Sequence, residues 1–317
     1  MKKGHKNKGI QKYFDLYMLV VDNPRMKVRK MAKKLEETGR GRTFSAIAKR
    51  LRKMYQSKIS FTPKLVLRPF ENVYSTAYFC RKSNRDKIRQ TFVSLKNDKS
   101  IDYCLFLAGD FDFFLVSKER DIHVEQYGLE IVEKHILYTT IYTIPKGWER
   151  PIVETYHRFS KFDFEKGQLE RKMESILKWS HIDWRIYYSM RENARAQFAS
   201  IGKKLDVAGY TVKSHFFKYV LPNCSVAHYF FPKGYDLYKQ AFMKITTHYE
   251  KSLVEALREL PCTTYVLPLD KGLVVNIFHE GVNELMTALQ EIEEIGVLKT
   301  YSLHVPLTYR LKESFTP

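Results

Sequence analysis

The sequence predicts an α+β chain of two similar halves, each a winged or helix-turn-helix unit followed by a ferredoxin-like βαββαβ domain. Three observations carry the prediction. Apolar residues recur at helical spacing up to about Ser57 and then alternate from about Ile59 to Ile144. The same succession of elements returns in the second half of the chain. A chain of 317 residues that is 44% hydrophobic and 14% aromatic, with 14 glycines and 11 prolines, has the material for several packed cores. The expected divisions are 1–60 and 61–145, a linker at 146–168, then 169–223 and 224–317.

In the first half, a helix from Gln11 to Val21 buries Phe14, Met18 and Val21 and stops at Asn23-Pro24, because the residue before proline avoids helical geometry. A second helix, Val28 to Glu37, sets Val28, Met31, Ala32 and Leu35 on one face. Gly39 and Gly41 break it, and Thr43 caps a third helix that runs through Ile47, Leu51 and Met54 to Tyr55. A strand at Val73–Arg81, a helix at Asp86–Leu95, strands at Ile101–Leu107 and Phe111–Ser117, a helix at Val124–Lys134 and a strand at Ile136–Ile144 follow. Pro145 to Gly167 lacks a period and reads as a linker. The second half is expected to carry helices at Asp183–Arg191, Ala196–Leu205 and Thr211–Val220. Strands at Phe242–His248, Thr263–Leu267, Leu273–Phe278 and Val297–Val305 then enclose helices ending at Glu259 and spanning Val282–Glu294.

The net charge of +19 is concentrated at one end: residues 1–60 hold 18 Lys and Arg against 4 Asp and Glu. Such a head suits a polyanion, and the third helix, with Lys49, Arg50, Arg52 and Lys53 opposite its apolar face, has the form of a helix that enters the DNA major groove. Double-stranded DNA is therefore the expected partner. Thr43 and Ser45 at the helix start and Arg40 and Arg42 in the preceding loop add contacts, the two loop arginines to phosphate. In the second half Lys203, Tyr210, Thr211, Lys213, Ser214 and His215 occupy the corresponding outward positions.

The segments SAIAKRLRKM and FASIGKKLDVAGYTVKSHF, together with FTPKLVLRPF and the hairpin LAGDFDFFLVS, resemble the Lrp/AsnC family of transcription regulators, as two tandem copies spanning nearly the whole chain. The family's turn glycine is replaced by Asp206 and its serine cap by Ala208, and ETGRGR lengthens the first turn. The resemblance implies a DNA-binding regulator, not an enzyme, whose βαββαβ domains self-associate or pair internally. It also implies a small, amino-acid-like effector near Gly109, Asp110 and Asp112; by their turn chemistry alone, these aspartates satisfy backbone donors.

Four dispersed cysteines form no C-x-x-C pair, and ten histidines have no metal spacing, so neither metal nor cofactor is expected. No apolar run reaches the roughly 20 residues of a membrane span, and a cytoplasmic place follows. Phosphate-loop, dinucleotide, serine-hydrolase and zincin signatures are absent. One enzymatic alternative shares the architecture: the siroheme decarboxylases, sometimes fused in two copies, which work with histidines and arginines around a tetrapyrrole. The cationic head weighs against that alternative.

Overall fold

The computed structural model describes residues 3–36, 43–84 and 86–311. Three helices open the chain: α1 (Lys3–Asp22), α2 (Val28–Glu36) and α3 (Phe44–Gln56). Asn23-Pro24 ends the first, and the Thr43 hydroxyl starts the third by accepting the Ala46 amide at 3.3 Å. Leu16, Met31, Ile47, Leu51 and Met54 form their common core. β1 (Lys64–Leu67) leads to β2 (Ser75–Lys82), α4 (Ile88–Asn97), β3 (Tyr103–Ala108), β4 (Phe113–Ser117), β5 (Leu129–Leu137) and β6 (Ile141–Tyr142). After α5 (Ile152–Ser160), residues 161–180 run largely without regular structure into a second trio, α6 (His181–Met190), α7 (Phe198–Leu205) and α8 (Gly209–His215). β7 (Cys224–Ala227), β8 (Lys239–Thr246), α9 (Glu250–Ala256), β9 (Tyr265–Pro268), β10 (Leu273–His279), α10 (Val282–Glu294) and β11 (Thr300–Leu311) complete the second half.

Two expectations change. Val124–Lys134 is not a helix: Gly128, at φ +66°, ends a single 3-10 turn, and the alternation LEIVEKHIL becomes β5. The expected linker instead contains α5, started by Pro151 and buried through Thr155, Tyr156, Phe159 and Ser160, a helical i, i+1, i+4, i+5 stripe packed in the second half's core.

The strands form one row, β5-β2-β4-β3-β11-β8-β10-β9-β6, antiparallel at each pairing, and β1 pairs with β7. Each half contributes four strands in the order fourth, first, third, second. The row returns on itself, since β6 follows β5 after three residues and Leu137 bridges Leu269. Phe79, Leu105, Phe114, Phe242 and Val274 fill the interior between the halves, while α4 covers the outer face of the first and α5, α9 and α10 that of the second.

Strand register relates the halves by an internal two-fold. Across the first half His135, Ala77, Val116 and Tyr103 lie side by side; across the second His304, Phe242, Asn276 and Tyr265 do. The helical trios exchange contacts reciprocally, as a two-fold requires. The Arg25 guanidinium donates to the carbonyls of Ala194 and Ala196, and that of Arg195 to those of Pro24 (2.6 Å) and Met26 (2.9 Å). Each arginine starts from the same turn, in which Asn23 or Asn193 accepts the amide of the arginine two residues on.

Candidate functional site

Alternation along β3, β4, β8, β9 and β10 turns Tyr103, Val116, Gln240, Tyr265 and Asn276 toward the interior, and between them and the β1–β7 ribbon lies a cavity of about 560 Å³. That size is ordinary for a small-molecule site. Because both members of the equivalent pair Tyr103 and Tyr265 line it, the cavity sits on the internal two-fold. Its chemistry is not symmetric.

One end is a network of neutral donors. Gln240 Nε2 donates to the Tyr265 hydroxyl (3.0 Å) and to Asn276 Oδ1 (2.7 Å), and the Tyr142 and Tyr229 hydroxyls are bonded to each other. Burial pushes the Tyr142 phenol up to about 12 and those of Tyr229 and Tyr265 well above the usual tyrosine value, so all three remain protonated donors.

Lys64, Arg68, Lys118 and Arg191 line the cavity on the side of β1 and α6, with Glu192 the one lining carboxylate, while Lys58 lines it beside Tyr235, which packs on Phe278. Lys64 pairs with Glu192 at 2.7 Å, Lys58 with Asp236 at 2.7 Å and Arg68 with Glu174 at 3.3 Å. Lys118 has no ion-pair partner among the described residues. Its ammonium lies 5.5 Å from the Trp184 ring and 5.4 Å from the Tyr188 ring, and 3.4 Å from the Tyr188 hydroxyl. Burial lowers its pKa below that of a free lysine; Asp102 opposes the shift and Arg191 adds to it.

No histidine, cysteine or methionine lines the cavity, and no group of three or more His, Cys, Asp or Glu among the described residues is placed to hold a metal. His228 sits between the lining residues Ala227 and Tyr229, but its ring stacks on Tyr17 at 4.9 Å and approaches Ser60. A tetrapyrrole here would meet cations, phenols and aromatic faces, with phenols, amines and the Glu192 carboxylate, but no imidazole or sulfur, to offer to iron.

The residues expected from the sequence lie elsewhere. Arg40 and Arg42 fall outside the described residues. Thr43 caps α3, Ser45, Lys49, Arg52 and Lys53 are exposed on or beside it, and Arg50 is half-buried. Lys203, Tyr210, Lys213 and Ser214 are exposed and Thr211 is half-buried. His215 does not point outward: its Nδ1 is 2.8 Å from Oδ1 of buried Asp183. None of the described ones among them, nor Gly109, Asp110 or Asp112, lines the cavity. Gly109 abuts the His304 ring, the Asp110 carbonyl accepts from Arg81, and buried Asp112 accepts the Lys82 amide at 2.8 Å. What sequence reasoning missed was the site itself. Its one available signal was the inward alternation Phe114-x-Val116-x-Lys118, which ends an apolar strand face on a cation.

No protein-family model matches the chain, and no curated protein matches it in sequence. Among solved structures, the crystal structure of the siroheme decarboxylase NirDL is similar over 96% of this chain and 94% of that one, with a TM-score of 0.52 and 12% identity. The same decarboxylase in co-complex with an iron-uroporphyrin III analogue aligns over 93% and 91%, with a TM-score of 0.48 and 12% identity. At that identity the likeness is one of fold. It corrects the regulator expectation nonetheless, because a protein sharing this architecture over its full length is an enzyme, so the architecture does not imply a regulator. A Lrp/AsnC-type transcription regulator without enzymatic activity, double-stranded DNA as its partner and an amino-acid-like effector are therefore withdrawn. No helix among the described residues is long and apolar enough to cross a membrane.

Proposed function

We propose that this chain is an enzyme of the siroheme decarboxylase type, which takes one planar, carboxylate-bearing tetrapyrrole into the cavity on its two-fold and releases CO2 from an acetate arm. The observation that carries the reading is the lining: aromatic faces for a flat ring, and for its acidic rim five Lys or Arg, four of them in ion pairs and Lys118 in none among the described residues. The full-length fold likeness to a siroheme decarboxylase supports it. In this reading the helical trios are retained helix-turn-helix units, the second followed by a βαββαβ unit and the first by one whose second helix is reduced to a 3-10 turn, and they brace the cavity instead of reading DNA.

The lining divides the work. The cationic end holds carboxylates, while the phenol and amide end fixes the opposite edge of the ring through neutral hydrogen bonds. The aromatic walls strip water from the arm that reacts, which favours conversion of a hydrated carboxylate into neutral CO2. The chain departs from the histidine-and-arginine pattern associated with such enzymes, because its cavity offers lysine, arginine and tyrosine in place of imidazole.

The test is a titration of the purified chain with iron-uroporphyrin III, followed by absorption, and incubation with siroheme followed by mass spectrometry. The expected results are saturable binding at one equivalent per chain and a product lighter by whole CO2 units. An unchanged spectrum together with unchanged siroheme would refute the proposal.

A further inference from the structure

Lys118 stands apart from the other cations of the cavity. It follows β4 in the inward alternation of Phe114 and Val116, so the strand itself aims its side chain into the cavity. By register its counterpart in the second half is Phe278, paired beside Gln240 as the β4 face is beside β2; the two-fold thus sets an ammonium on one side against a phenyl on the other. The titratable and charged groups facing it are Asp102, before β3, Tyr188, on α6, and Arg191, at the end of α6. Asp102 does not bind the ammonium: its Oδ2 accepts the Lys118 backbone amide at 3.2 Å. The ammonium rests on Trp184 and Tyr188, which stack at 5.8 Å one helical turn apart. Aromatic faces hold a cation without fixing its proton, whereas a carboxylate partner would do both.

We propose that Lys118 donates the proton that takes the place of CO2 on the substrate arm. The assignment rests on the decarboxylase reading. In the step, the bond between the arm's methylene carbon and its carboxylate breaks. CO2 leaves without the bonding electron pair, the pair stays on the methylene carbon in conjugation with the ring, and that carbon takes a proton from Lys118 Nζ to become a methyl group. The amine left behind recovers a proton from water through the Tyr188 hydroxyl. No oxidant or reductant is needed. Because burial lowers the ammonium's pKa, Lys118 is a stronger acid than a free lysine and recycles at lower pH; turnover falls as pH rises through that lowered value.

The test uses two variants. Lys118→Arg keeps the charge and the aromatic seat, but a guanidinium does not give up its proton in a protein. It is expected to bind iron-uroporphyrin III within about threefold of the wild type while turnover of siroheme drops by about 100-fold or more, the usual scale of a lost general acid. Lys118→Ala should regain turnover with added ethylamine and not with guanidine. Turnover by Lys118→Arg within about threefold of the wild type, or indifference of Lys118→Ala to amines, would overturn the assignment while leaving the decarboxylase reading in place. A wild-type chain that neither binds nor converts would remove both.

Discussion

Arg171 lies in the segment that joins the halves, where sequence offered only a linker. Its guanidinium grips Glu250 with two bonds, Nη1 to Oε2 at 2.8 Å and Nη2 to Oε1 at 2.6 Å. It also donates to the carbonyls of Leu269 (2.6 Å), Leu169 (3.0 Å) and Gly272 (3.3 Å). Glu250 is 1% exposed, so Arg171→Ala strands a buried carboxylate that retains only the Leu169 amide, at 2.9 Å. Breaking a buried pair from one side costs about 3–5 kcal/mol. For a cooperative unit of this length that is a fall of roughly 4–8 °C in Tm. Arg171→Lys should lose about half as much, because one ammonium cannot span both carboxylate oxygens and three carbonyls. Urea unfolding followed by circular dichroism measures the difference. A loss below about 1 kcal/mol for Arg171→Ala at neutral pH would mean that the strap contributes nothing to holding the β9–β10 turn.

Asn276→Val installs the residue that register gives the first half, Val116. It should leave stability within about 1–2 kcal/mol but weaken iron-uroporphyrin III binding about tenfold, read by the same absorption titration, as one hydrogen-bonding group leaves the neutral end. Gly109→Ala places a Cβ against the His304 ring at φ +150°, and thermal unfolding should show a loss of about 2–3 kcal/mol. Arg25→Ala and Arg195→Ala each remove two bonds to carbonyls across the trios and should each cost about 2–3 kcal/mol. Arg25 is pushed down to about 10, by burial first and by the charge of Arg195 second; either single removal also relieves that repulsion, so removing both arginines should cost more than the two losses added, as a double-mutant cycle would reveal.

The order of elements could be read from the sequence because amphipathic period is a local property, and α1, α3, β3, β4 and α10 lie near the expected positions. β5 was hidden because its first residues, Leu129-Glu-Ile-Val-Glu, satisfy both periods, and only Gly128 decides between them. α5 was hidden because Tyr156 and Phe159 look like loop aromatics until Pro151 is taken as a helix start. The site was not legible for a different reason. Its walls come from ten strands, β1 to β10, and from α6, and only register, a property of the folded pairing, gives Tyr103 and Tyr265 equivalent places in them. The concentration of charge in residues 1–60 misled because a cationic stretch states a preference for anions without stating where they bind.

Fusion of two halves into one chain explains why the cavity can be polar at one end and cationic at the other. In a homodimer each lining position on a two-fold occurs twice and identically, so a group suited to one edge of a ligand is imposed on the other edge as well. Here Val116 corresponds by register to Asn276 and the Lys118 position to Phe278, each pair of lining positions free to differ. The contacts that hold the halves together have stayed alike: Arg25 and Arg195 still exchange carbonyls, and Asn23 and Asn193 still form the same turn. Symmetry is thus kept where it serves cohesion and lost along the strands that face the cavity, where Lys118 stands at the register position of Phe278.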